Sequence, residues 1–171
     1  APAAAGAAVA TPTAGAAVPT ASEKVSISTD VVKATFDTKG GDLIRLELLK
    51  FNDAVDPQQN AVLFDQTAQR VYLAQTGLVT TQPGVSLPNH FTVMRALPGE
   101  RTLADGQKEL SISFESPEIG GVQLVKTYTF RRGEYPVAVK HAVKNNAAAP
   151  VSPQLYLQLA RDGNPPAGES S

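Results

Sequence analysis

The segment Val25–Phe51, VSISTDVVKATFDTKGGDLIRLELLKF, decides the fold class of the chain. In its first half, apolar residues at positions 32, 34 and 36 alternate with polar residues at 33, 35 and 37. A period of two is typical of a strand that buries one face. Two consecutive glycines, Gly40 and Gly41, then predict a turn, because glycine adopts backbone conformations that other residues resist.

The alternation resumes after the glycines. In Leu43–Phe51, Ile44, Leu46 and Leu48 share one predicted face. The run LIRLELL would also suit a helix, but the glycine pair and the preceding β-rich run favour a hairpin. The segment therefore predicts strand, turn, strand.

Similar alternating runs, separated by loops rich in Gly and Pro, fill the rest of the chain. They are Ala61–Asp65, Gln69–Thr76, Phe91–Ala96, Lys108–Glu115, Val122–Phe130, Val137–Lys144 and a last strand that contains Leu155, Leu157 and Leu159. Lys126 is the one charged exception on the apolar face of its run. The sequence shows no helical stripe, βαβ alternation or internal repeat. Short strands at this spacing predict an all-β fold, an antiparallel β-sandwich.

Composition narrows the function classes. The chain has 171 residues, enough for one domain with a real core. Its net charge is −1 and its 15 Lys and Arg residues are dispersed, which disfavours nucleic acid or anionic lipid as a partner. The sequence has no cysteine, which excludes disulfides, thiolate catalysis and zinc sites built on sulfur. No run approaches the roughly 20 apolar residues that a membrane helix requires.

Three regions differ in composition. Residues 1–22 are rich in Ala, Pro and Thr, and we expect a flexible, disordered linker because small side chains bury too little surface to offset the entropy of ordering. Residues 23–160 carry the alternating runs and are the predicted folded domain. Residues 161–171 are predicted to be a loop or tail.

Several motifs resemble the large periplasmic domain of the YidC family of bacterial inner-membrane protein insertases. They lie at residues 27–31 (ISTDV), 38–43 (TKGGDL), 75–78 (QTGL), 126–137 (KTYTFRRGEYPV) and 143–146 (VKNN). The resemblance covers nearly everything from Val25 to about Leu159. It implies that the fold is the first part of a β-supersandwich, similar in shape to galactose mutarotases, and that the family's domain continues past the C-terminus of this chain.

The resemblance also implies location and role. A protein of this family lies at the periplasmic face of the inner membrane, and we expect it to enter the membrane through segments outside this chain. The expected role is to help insert and fold inner-membrane proteins, alone or with the SecYEG translocon. Expected partners of the full-length protein are SecDF, SecYEG and nascent membrane proteins. This chain would be an accessory without catalysis, serving either as an interaction module or as a spacer.

Few residues in the sequence suggest catalysis or metal binding. Neither histidine, His90 or His141, has an HxH or HExxH partner, so we expect no metal site. His141 lies on the apolar face of a predicted strand and is expected to be a core histidine bonded through its ring. We predict no catalytic residue and no cofactor, and the sequence leaves any substrate-binding residues unknown.

Alternatives remain open at several places. The mutarotase-like shape would allow a carbohydrate-binding module or a degenerate mutarotase, in which His141 works with Glu115 or Glu134 as acid and base. Fold alone does not carry that function. Asp37 and Asp42 flank the glycine turn, and we expect them to cap it rather than bind calcium. We expect the strand of Leu155, Leu157 and Leu159 to pair inside its own sandwich rather than with a partner.

Overall fold

A computed structural model describes residues 21–67 and 71–163 of the chain. These residues form ten strands and no helix. The strands are β1 (Lys24–Ser28), β2 (Val32–Asp37), β3 (Asp42–Asn52), β4 (Asn60–Gln66), β5 (Val71–Val79), β6 (Arg95–Ala96), β7 (Glu109–Glu115), β8 (Val122–Arg131), β9 (Val137–Asn145) and β10 (Gln154–Arg161). The predicted linker at 1–22 and the predicted tail at 161–171 fall almost entirely outside the described residues.

The strands form two antiparallel sheets. One has six strands in the order β1-β2-β3-β4-β5-β10, and the other has four in the order β6-β7-β8-β9. The prediction of an all-β, antiparallel sandwich is therefore confirmed. No helix in the described part of the chain has the length and apolar character needed to cross a membrane.

The predicted glycine turn joins β2 to β3. Gly40 and Gly41 have φ angles of 76° and 61°, in the left-handed region that favours glycine. Gly41 is also confined by its neighbours, since a Cβ there would lie 2.8 Å from Phe114 Cβ and 2.9 Å from Met94 Sδ. The turn thus brings its backbone directly onto the four-stranded sheet.

The first half of the opening segment differs from the prediction. Residues 25–37 form two antiparallel strands, β1 and β2, instead of one extended run. Thr29 reverses the chain, because its Oγ1 accepts hydrogen bonds from the backbone N–H of Val31 (3.2 Å) and of Val32 (3.1 Å). No glycine or proline marks this turn, so the alternation on either side of it reads as continuous.

Strands β5 and β6 depart most from the predicted bounds, and residues 69 and 70 of the predicted strand Gln69–Thr76 lie outside the described residues. Strand β5 passes through Gly77 to Val79, and Gly77 serves a close approach, since a Cβ there would lie 2.5 Å from Tyr156 Oη and 2.8 Å from Asn89 Cα. The strand predicted at Phe91–Ala96 shortens to Arg95–Ala96, because only those two residues pair with β7.

Aromatic side chains fill the space between the sheets. Phe36 of β2 lies with its ring centroid 5.2 Å from that of Phe114 and 4.8 Å from that of Tyr128. Phe130 closes the same cluster at 6.4 Å from Phe36. These rings come from both sheets, so burying them holds the two layers together.

Side chains on the inner faces of β9 and β10 remain partly exposed to solvent. Strand β10 pairs with β5, so the predicted pairing inside the sandwich is confirmed. Leu155 and Leu157 pair in register with Leu78 and Thr76, which are buried, and therefore project to the same face. The leucines at 155, 157 and 159 nevertheless remain 53–69% exposed in the described part of the chain.

Candidate functional site

A buried polar cluster links the two sheets beside the glycine turn. It consists of Asp42 on β3, Thr76 on β5, Lys126 on β8 and His141 on β9, and we call it the polar cluster. Lys126 Nζ lies 2.8 Å from Asp42 Oδ1, and it also donates a hydrogen bond of 2.7 Å to the Thr76 carbonyl oxygen. The side chains of Lys126 and Asp42 are 0% and 3% exposed. The ion pair is therefore shielded from water and joins the six-stranded sheet to the four-stranded one.

His141 extends the cluster toward the sandwich edge. The pairing of β8 with β9 sets His141 directly opposite Lys126. Its Nε2 lies 2.8 Å from Thr76 Oγ1 in the other sheet. The structure thus places His141 on the inner face with a ring nitrogen in a hydrogen bond, as expected from the sequence, although the side chain is only half-buried.

Burial dominates the electrostatics of the cluster. It raises the pKa of Asp42, while the adjacent Lys126 ammonium acts in the opposite direction. It lowers the pKa of Lys126, while the attraction of Asp42 opposes that change. The pKa of His141 is lowered, first by partial burial and second by the Lys126 charge. Each charged group of the ion pair depends on its partner to remain charged away from water.

Tyr128 connects the cluster to the glycine turn. Its hydroxyl donates a hydrogen bond of 2.8 Å to the Gly41 carbonyl oxygen. Burial, followed by the negative charge of Asp42, raises the pKa of Tyr128, so the hydroxyl remains a protonated donor. The interaction fixes the turn that presents Asp42 to Lys126.

The prediction that Asp37 and Asp42 both cap the glycine turn is correct for Asp37 and wrong for Asp42. Asp37 caps the turn, since its Oδ1 accepts a hydrogen bond of 2.8 Å from the backbone N–H of Lys39. Asp42 instead points inward to the ion pair with Lys126. The reason is that Asp42 is buried at the start of β3 within reach of the Lys126 ammonium, and there a charged partner outweighs a turn contact. The available signal was Lys126, a cation at an inward position of an alternating strand, which required a buried anion.

The proposed acid–base pair of a mutarotase is not assembled. Phe114, Lys126 and His141 are paired across β7, β8 and β9 and share the inner face. Glu115 therefore projects from the opposite face, where its Oε1 lies 2.7 Å from Arg95. Glu134 lies in the turn that joins β8 to β9. The structure brings neither carboxylate to His141.

His90 lies beside the polar cluster, since it lines a cavity together with Asp42, and its backbone and ring are bonded to Tyr156. The backbone N–H of His90 donates a hydrogen bond of 3.1 Å to Tyr156 Oη, and its Nδ1 also contacts that hydroxyl.

Among residues 21–67 and 71–163, no three side chains of His, Asp or Glu are grouped so that they could bind a metal ion.

Two recesses adjoin these residues. A cavity of about 80 Å³, the Asp42 cavity, is lined by side chains of the glycine turn and of β3, β4 and β5, together with His90 and Phe91. A shallow groove of about 510 Å³, the Phe91 groove, runs from the same two residues along β5 and β10. The recesses share His90 and Phe91, so they adjoin each other at this loop.

Comparison with known proteins identifies close relatives. The family model described as the YidC periplasmic domain matches residues 24–171. The protein named membrane protein insertase YidC from Bordetella parapertussis is 48% identical over 149 residues, which are 87% of this chain and 26% of that protein. The protein of the same name from Cupriavidus necator is 50% identical over 165 residues, which are 96% of this chain and 28% of that protein. The chain thus spans about a quarter of the length of these curated relatives.

Proposed function

Because this chain belongs to the family of YidC periplasmic domains, we propose that it serves a membrane protein insertase as an accessory domain. The domain contributes to the insertion and folding of inner-membrane proteins by making protein contacts or by setting spacing, and it performs no catalysis of its own. It works at the periplasmic face of the inner membrane. Partners of the full-length protein would be SecDF, SecYEG and the nascent membrane proteins.

The observation that supports the proposal is that the charged and polar groups of the polar cluster bind one another. Lys126 Nζ is bonded to both Asp42 Oδ1 and the Thr76 carbonyl, and His141 Nε2 is bonded to Thr76 Oγ1. A general base or nucleophile needs an atom directed at a substrate. Here the charged atoms are directed at each other across two sheets. This geometry supports a structural role for the most unusual side chains in the domain.

A domain-replacement experiment tests the accessory role. In a full-length relative, the whole periplasmic domain, including the region that matches residues 24–171, would be replaced by a flexible Gly/Ser linker. The purified protein would then be reconstituted in proteoliposomes with a test membrane-protein substrate. We expect insertion to persist, because the proposal places substrate handling outside this domain. Complete loss of insertion, with the remaining protein correctly folded, would contradict an accessory role.

Site-specific photocrosslinking separates docking from spacing. The probe would be placed on the outer face of the six-stranded sheet, at Lys33 or Thr35, and on the outer face of the four-stranded sheet, at Ser111 or Thr129. Crosslinks to SecDF from one face only would support docking, and the other face is the matched control. No crosslinks from either face would support a spacer. Turnover of a sugar anomer by the isolated chain would contradict both roles.

A further inference from the structure

Strand β10 forms one end of the six-stranded sheet. It pairs with β5 on one side, and within the described part of the chain no strand pairs with its other side. Backbone N–H and C=O groups on that side are therefore available to another strand. A free edge of this kind is a template for pairing with a second chain.

The other three terminal strands are protected from such pairing. A loop covers β1, since the backbone N–H of Leu103 donates a hydrogen bond of 2.9 Å to the Ser28 carbonyl oxygen. Strand β6 has only two residues. Strand β9 carries the exposed Lys140 and Lys144, and lysine on an edge opposes pairing. Residues 154–160 of β10, in contrast, contain neither a charged residue nor a proline.

The inner face beside this free edge is apolar. Leu155, Leu157 and Leu159 project to it and are more than half exposed. Val139 and Val143 lie on the inner face of β9, opposite buried residues of β8, and are 45% and 41% exposed. Several large apolar side chains exposed together are typical of a surface that binds another protein.

The sequence of β10 matches itself in one antiparallel register. When two copies pair about a two-fold axis through Leu157, this residue lies opposite its own copy, and Leu155 lies opposite Leu159 of the other copy. Residues that are directly opposite share a face, so every leucine then contacts a leucine. A register shifted by two residues in either direction leaves one leucine of each copy without a leucine opposite.

Charged side chains do not oppose this register. Arg161 and the adjacent Asp162 lie at the end of β10, and pairing about Leu157 places the two copies of Arg161 roughly 27 Å apart along the strands. Lys140 and Lys144 project from the outer face of β9, away from the leucines. His141 is on the inner face, but it is bonded to Thr76 of β5, one strand back from the edge.

We propose that this chain associates with a second copy of itself through the free edge of β10, in an antiparallel pairing centred on Leu157. The two six-stranded sheets then join edge to edge. One strand and three leucines from each copy bury less than the roughly 800 Å² per partner of a stable complex, so the dissociation constant should be on the order of 10–500 µM. Self-association is independent of the accessory role, and its failure would leave that role unaffected.

Sedimentation equilibrium of the full 171-residue chain, from about 5 µM to about 1 mM, tests the association. We expect a monomer at the low end and mostly dimer at the high end. Leu157→Lys places two ammonium groups opposite each other at the axis, and it should weaken association at least tenfold. Leu63→Lys is the matched control, because Leu63 is an exposed leucine on the internal strand β4, and it should associate like the unsubstituted chain.

Single cysteines test the register, because the chain has no cysteine of its own. In Leu157→Cys the two thiols lie opposite each other, with Cα atoms about 4.5–5.5 Å apart, which a disulfide can span. Leu159→Cys is a control of similar exposure on the same strand, but its two copies lie roughly 13 Å apart. With oxidised glutathione, Leu157→Cys should form the linked dimer at least tenfold faster than Leu159→Cys.

Three results would overturn the proposal. A chain that stays monomeric at every concentration would leave this edge to a different protein. Association that Leu157→Lys does not weaken would place the contact on another surface. Equal rates of disulfide formation at positions 157 and 159 would exclude the antiparallel pairing about Leu157.

Discussion

Lys126 Nζ on β8 lies 2.8 Å from Asp42 Oδ1 on β3, and the two residues are separated by 84 positions in the chain. The contact crosses from one sheet to the other in a region without water access. Together with the Tyr128–Gly41 and His141–Thr76 hydrogen bonds and the buried aromatic rings, it joins the glycine turn and the six-stranded sheet to the four-stranded sheet.

Removing one partner of this ion pair should be strongly destabilising. Lys126→Met leaves Asp42 as an uncompensated buried carboxylate, and we expect the free energy of unfolding to fall by about 3–5 kcal/mol. Urea denaturation of the full chain measures the change. Lys140→Met, at an exposed lysine of β9, is the matched control and should change stability by no more than about 0.5 kcal/mol.

The double variant Lys126→Met/Asp42→Asn distinguishes a buried charge from lost packing. It should be more stable than Lys126→Met alone, because no unpaired charge remains. If the two substitutions simply add, the destabilisation does not come from the orphaned carboxylate.

Acidification should loosen the edge strand β9 through His141. Burial and the Lys126 charge lower the pKa of His141 in the folded state below its ordinary value of 6.5. At a pH between the folded-state pKa and 6.5, His141 binds more protons in the unfolded chain than in the folded one. The free energy of unfolding therefore shows no loss from His141 above pH 6.5, and it falls as the pH drops from 6.5 toward the folded-state pKa. Thermal unfolding at a series of pH values would measure this.

His141→Gln should reduce that pH dependence, since glutamine can still bond to Thr76 Oγ1 but does not titrate. His90→Gln removes the other histidine and serves as the control, and it should leave the His141 contribution in place. A His141→Gln curve that is parallel to the wild-type curve across this window would show that His141 does not cause the loss.

Gly41 should tolerate substitution far less well than another glycine with a similar backbone conformation. Gly41→Ala places a Cβ within 2.9 Å of Met94 Sδ and Phe114 Cβ, whereas Gly84 also has positive φ but a Cβ there would meet no atom within 4 Å. We expect about 1–2 kcal/mol of backbone strain in both variants. Gly41→Ala should lose roughly 1–3 kcal/mol more from overpacking. Equal unfolding midpoints would show that the close approach is unimportant.

The fold class was predictable because the alternation of apolar and polar residues can be seen within each short segment of the sequence. Every second residue of β7 and β8 faces the core, and neither strand carries a competing helical pattern. The break at Thr29 was not predictable, since a threonine side chain in place of glycine or proline supports the turn.

The polar cluster was predictable only in part. The inward position of Lys126 was visible from its strand, but nothing local identified Asp42 as its partner. The contact depends on how the two sheets are stacked, and a period of two does not specify that arrangement. Asp42 also begins a strand beside two glycines, where a capping role is the ordinary expectation.

The most direct test of a structural, non-catalytic role is membrane-protein insertion by a full-length relative in which this domain, carrying the Lys126→Met/Asp42→Asn double substitution, replaces the matching region. Reconstituted in proteoliposomes, with circular dichroism confirming the β fold, it should insert a test substrate at the unsubstituted rate. A folded double variant that has lost insertion would contradict the proposal and would place the ion pair in the working machinery of the insertase.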